Sequence, residues 1–104
     1  MAMRPSARIP NWYESVWQEM IEERDNARRA AKQGRENVAA GRCVNANHSM
    51  TAATMMSMKS VGMARVLDAA RLLSPNDRAA FEDIDTEVHE TLMDAETKCG
   101  WISG

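Results

Sequence analysis

Three stretches of this chain repeat apolar residues at helical spacing, and short polar or turn-forming segments divide them. The central stretch runs over residues 48–73 and holds Met50, Met55, Met56, Met58 and Met63. At 100° per residue, Met55, Met63, Val66, Ala70 and Leu73 gather on one side of a helix. Met50, Met58, Val61 and Leu72 gather on roughly the opposite side. A helix that is apolar on two sides needs cover on both, from two neighbours in the chain or from one neighbour and a partner. Small residues lie between the stripes: Thr51, Thr54, Ser57, Ser60 and Gly62. They allow neighbouring backbones to come close.

The first stretch predicts a helix over 11–40, with Asn11 as its N-cap and Glu14 completing a capping box. Its apolar stripe is Trp12, Tyr13, Val16, Trp17, Met20, Ala27, Ala31 and Val38. Gly34 could end this helix, but the stripe resumes at Val38, which favours an end near Gly41. Residues 41–47 read as the connection, with Asn45, Asn47 and Ser49 as candidate caps of the central helix. Ser74-Pro75-Asn76-Asp77 then places Ser at an N-cap and Pro at the first helical position. The third helix, 75–99, repeats Phe81, Ile84, Val88, Leu92, Ala95 and Cys99 at spacings of three and four, and Gly100 suits its end. Trp101 and Ile102 are expected to fold back, with Trp101 touching the core. Residues 1–10, with Pro5 and Pro10, read as an irregular arm whose Arg4 and Arg8 could reach a partner. The pattern as a whole predicts one all-α domain, a small up-down-up three-helix bundle. Its first helix is long, its central helix Met-rich and its third helix acidic, and pairing of two central helices in a dimer is left open.

Composition changes this picture little. A chain of 104 residues with 44% hydrophobic residues suits a single domain with a modest core. No apolar run approaches the roughly 18 residues of a membrane span, and the N-terminus lacks the apolar stretch of a secretory signal, so a cytoplasmic setting is expected. Cys43 and Cys99 are the only cysteines. Cys99 on an apolar face reads as a buried thiol, yet an up-down-up bundle would bring both to the same end, where they could pair.

Charge distribution adds more. Residues 24–42 carry six basic residues against Asp25 and Glu36, and residues 74–98 carry eight acids against Arg78 and Lys98. Asp83, Glu87, Glu90 and Asp94 line up on the third helix at spacings of four, three and four. This row is a solvated face or an acidic strip for a basic partner, since regular carboxylates can occupy a groove built for phosphates. Arg24, Arg28, Lys32 and Arg35 follow one side of the first helix and could track a nucleic-acid backbone or an acidic partner. The sequence pI of about 5.7 and the acidic third helix argue against direct nucleic-acid binding. Pairing of the basic and acidic helices is the simpler expectation.

Catalytic and metal chemistry find little footing. Asp85 and His89 could meet on one helix face, but no nucleophile or metal set accompanies them. Met55-x-x-Met58 with His48 is a lone soft-metal pattern, Cys43-x4-His48 is not a zinc pattern, and no Gly-rich phosphate loop occurs. No catalytic residue, metal or cofactor is therefore assigned. The reading is a non-enzymatic protein–protein interaction module. Its expected contacts are Asp83, Glu87, Glu90 and Asp94 with Trp12, Trp17, Met50 and Met58. A small acidic helical chain is also the format of phage or mobile-element inhibitors of bacterial nucleic-acid machines, of the anti-CRISPR or anti-restriction type. A homodimeric assembly scaffold and a nucleic-acid binder using the basic half of the first helix are the alternatives.

Overall fold

Small residues at spacings of three and four draw the helices together. The computed structural model describes residues 11–101, and among these it holds three helices and no strand. They are α1 (Tyr13–Ala39), α2 (Cys43–Ala69) and α3 (Pro75–Cys99). The arm over 1–10 and Ile102 lie outside the described residues. On α2 the buried residues are Ala46, Met50, Ala53, Ser57, Ser60, Val61, Ala64 and Leu67. Most of these are small, so α1 and α3 both pack close against one side of α2. The expected pair of opposite apolar stripes is therefore corrected. The seam passes through Ser57 and Ser60, and Met55, Met58 and Val66 point to solvent.

Close approach has matching features on α1. Ala27, Ala31 and Gly34 face α2 with no exposed surface on either alanine. A Cβ on Gly34 would lie 2.5 Å from Met50 Sδ and 3.1 Å from its Cγ, so the glycine makes room for Met50. Gly34 thus sits inside the helix and does not end it. Ser60 Oγ donates to the Met20 carbonyl at 3.0 Å, which satisfies a buried hydroxyl. One core cluster forms around Ala27, Ala31, Met50, Ala53, Ile84 and Val88, with Leu92 and Trp101 packed on it. A second, towards the other end, joins Tyr13, Met20, Leu67, Leu73 and Phe81, with Trp17 alongside. Trp17 stacks on Tyr13 and meets Phe81 edge-on.

The helix ends explain the remaining differences from the sequence pattern. Gly41 takes φ 76, its N–H bonds the Val38 carbonyl, and the Arg42 N–H bonds Asn37. These are the paired bonds of a Schellman motif, and they end α1 at once. Asn37 reinforces the turn: its Oδ1 accepts from Arg42 Nε at 2.9 Å, and its Nδ2 donates to Ser49 Oγ at 3.3 Å. α2 can therefore start at Cys43, five residues before the expected 48. Asn45, Asn47 and Ser49 are helical residues rather than caps. Asn11 does not cap α1 either, because Trp12 holds that position without a side-chain bond. At the other end of α2, Arg71 adopts φ 59, with Arg71 N–H to Asp68 and Leu72 N–H to Leu67. This second Schellman motif stops α2 at Ala69, short of the expected 73, and folds Leu73 back into the core. Ser74 then accepts the Asp77 N–H at 3.1 Å and α3 begins.

Cys43 and Cys99 form a disulfide, with Cα atoms 5.7 Å apart. The early start of α2 brings Cys43 level with the last residue of α3, and the buried-thiol reading of Cys99 is set aside. A chain-entropy treatment gives this cross-link, with its sequence separation of 56, about 4 kcal/mol. Replacing both cysteines by Ser should lower unfolding free energy by about that amount, read as a lower urea midpoint with a steeper slope, because the uncrosslinked chain unfolds to a more expanded state. Arg71→Gly should act in the opposite direction. A left-handed residue that is not glycine costs about 1 kcal/mol, so this change should raise the midpoint.

Candidate interaction surface

The charged rows face each other across the bundle. Arg28 Nε binds Glu87 Oε2 at 3.1 Å, and Arg35 donates to Thr91 Oγ1 at 3.1 Å. Arg24 lies 5.1 Å from the centre of the Phe81 ring and also touches Asp25. Three of the four basic residues read as a nucleic-acid row therefore hold α1 to its own neighbours. Lys32 is exposed and shares an open cleft with Asn26, Arg29, Gln33 and Met56.

The acidic row is divided in the same way. Glu87 is half-buried against Arg28, and Asp94 binds Lys98 one turn on at 3.2 Å. Asp83 and Glu90 are exposed and make no ion pair among the described residues. The continuous four-carboxylate strip is thus reduced to two free carboxylates with the engaged Glu87 between them. Each such exposed pair contributes at most about 1 kcal/mol.

The expected apolar contacts divide by depth. Met50 is 1% exposed and belongs to the core, so it cannot meet a partner. Trp17 is half-buried between Tyr13 and Phe81, whereas Trp12 is 43% exposed. Met58 is 66% exposed. It has company that the sequence pattern put elsewhere: Val44 at 73%, Met55 at 67% and Val66 at 58%. These four share the outer face of α2, turned away from both neighbouring helices. The face also holds Thr51 and Gly62, and a Cβ on Gly62 would meet nothing within 4 Å. Its charged borders are Lys59 and Arg65, and no acid of α2 lies on it. Met55 and Met58 are neighbours one turn apart, and Val44 and Val66 each lie eleven residues from Met55 on the same line, with His48, Thr51 and Gly62 between them.

The two histidines lie on different helices, His48 on α2 and His89 on α3. Asp85 accepts from Ser57 Oγ at 3.5 Å, and the expected contact with His89 is not formed. His89 borders an open cleft with Leu92, Met93, Glu96 and Trp101, while His48 is exposed on α2. Among the described residues no group of three His, Cys, Asp or Glu could hold a metal. No helix there is long and apolar enough to cross a membrane.

Beside the apolar face, Lys59 binds Glu19 at 3.1 Å. That hydrogen bond, the charge of Glu19 and then the charge of Glu23 raise its pKa above the ordinary 10.5. The interaction favours the ammonium form, so its contribution is complete below 10.5 and fades as pH climbs through the raised value. The stability difference between the native chain and Lys59→Met should therefore be constant at neutral pH and narrow in alkali, as urea titrations at several pH values would show. No family model, curated protein or solved structure matches this chain.

Proposed function

We propose that this chain is a non-enzymatic protein–protein interaction module that docks through the outer face of α2. The observation that carries this reading is the stripe of Val44, Met55, Met58 and Val66 on a helix whose opposite side already fills the core. Leaving these side chains in water forgoes burial worth about 1.5–3 kcal/mol each. Unbranched, polarisable Met side chains suit a surface that must adapt to another protein. The narrower inhibitor reading, in which an acidic face of α3 occupies a basic groove of a nucleic-acid machine, rests on Asp83 and Glu90 alone. It is the second reading. Direct nucleic-acid binding by α1 draws least support, because Arg24, Arg28 and Arg35 are engaged within the bundle.

The Cys43–Cys99 disulfide bears on where the module works. Such bonds persist in oxidising compartments and are reduced in most cytosols. It therefore supports an oxidising setting over the cytoplasmic one expected from the sequence. Alkylation of thiols in intact cells tests this, and two trapped thiols per chain would return the protein to a reducing compartment.

Site-specific photo-cross-linking separates the three surfaces. A photoreactive phenylalanine analogue should yield protein adducts when it replaces Met55, and none when it replaces Asp83 or Lys32. Adducts from Asp83 alone would move the interaction to α3.

A further inference from the structure

The outer face of α2 has a symmetry of spacing that selects its occupant. Val44 and Val66 lie eleven residues to either side of Met55. An eleven-residue step is close to three full helical turns, so all three stay on one line. We infer that the occupant is a second copy of this chain, with two α2 helices packed antiparallel and Met55 on the two-fold axis. The inference rests on the docking role just proposed for this face.

In that arrangement each residue meets the one equally far from Met55 on the other helix, as an isologous contact requires. Val44 meets Val66 of the second copy, and Met55 meets its own counterpart. His48 then lies over Gly62, close to the centre line of the contact, while Met58 and Lys59 flank it. A large side chain opposes a small one at the His48 and Gly62 level, which is how facing helices interdigitate without voids. Gly62 gains a role that the single chain does not give it, because its Cβ position is open space in the bundle. No pair brings like charges together: Lys59 meets Thr51, and Arg65 meets Asn45.

Area sets a requirement on the pair. From Val44 to Val66 the face is about 33 Å long at 1.5 Å per residue, and a helix is about 10–12 Å wide. Two such faces supply about 700 Å² from the helices alone, so side chains of α1 and α3 that border α2 have to join the contact for it to reach the roughly 1,200 Å² of a specific interface.

Sedimentation equilibrium of the disulfide-bonded chain should give twice the 11.6 kDa chain mass at micromolar concentration. A monomer at 100 micromolar would overturn the inference. Met55→Lys places two ammonium groups at the axis and should weaken association by about 100-fold or more at unchanged helix content; an unchanged dissociation constant would reject this face. A short bismaleimide should join two copies of Met55→Cys and leave Val66→Cys unjoined, because Val66 residues stand far apart across an antiparallel pair. Efficient joining through Val66→Cys would mean a parallel pair and overturn the arrangement. Gly62→Leu should loosen the dimer while leaving the single bundle folded, and a dimer as tight as the native one would remove the glycine from the interface. Photo-adducts from Met55 in a strictly monomeric chain would sink self-association and leave the docking role intact.

Discussion

The close approach of α1 and α2 along a line of small residues is the constraint from which the rest follows. Ala27, Ala31 and Gly34 are buried on one helix and Ala46, Ala53, Ser57, Ser60 and Ala64 on the other, with Ser60 bonded to Met20 of α1 and Ser57 to Asp85 of α3. Such a seam excludes bulk, and its few large members are placed where the partner helix recedes. Met50 lies over Gly34, and Leu67 sits near the aromatic end with Phe81. Once the inward positions are taken by the small residues with Met50, Val61 and Leu67, Val44, Met55, Met58 and Val66 are left on the outer side of α2. The outer stripe is thus a consequence of how α2 packs inward.

The two ends of the bundle are secured by different means. At one end Tyr13, Trp17 and Phe81 form a ring cluster with Leu67 and Leu73, and apolar area does the work. At the other end the core is narrow and Ala-rich, and covalent and polar links take over. Asn37 binds the turn between α1 and α2 through Arg42 and Ser49, and Cys43–Cys99 joins α2 to α3. A thin core supplies less burial energy per residue, so a cross-link has more to contribute there. Charge plays a lesser part. Arg28–Glu87 and Arg35–Thr91 set how α1 and α3 face each other, at small energies apiece.

Much of the architecture was open to reading in the chain. The Ser74-Pro75 start, the Gly100 end and the Phe81, Ile84, Val88 and Ala95 stripe of α3 are local signals, and the structure uses them all. The bounds of α2 were not legible, since they depend on two Schellman turns. One of these places Arg71 in a left-handed conformation that nothing local announces. The inward face of α2 is hard to read for a related reason. Large apolar residues signal burial, while the buried seam is mostly Ala and Ser, and together with Met50 these recur at spacings of three and four. That spacing is present in the sequence, at positions that hold neither a charge nor, Met50 aside, a long side chain.

The candidate surface shows the same division. Sequence by itself determined three helices, an acidic α3, a basic half of α1 and a Met-rich α2, because periodicity and charge are properties of one segment at a time. Tertiary structure decided which Met is core and which is surface, that Glu87 answers Arg28, and that Cys43 reaches Cys99. These outcomes depend on the rotation of each helix about its axis and on its register against its neighbours. Small-residue seams set both, through steric fit between segments distant in the chain.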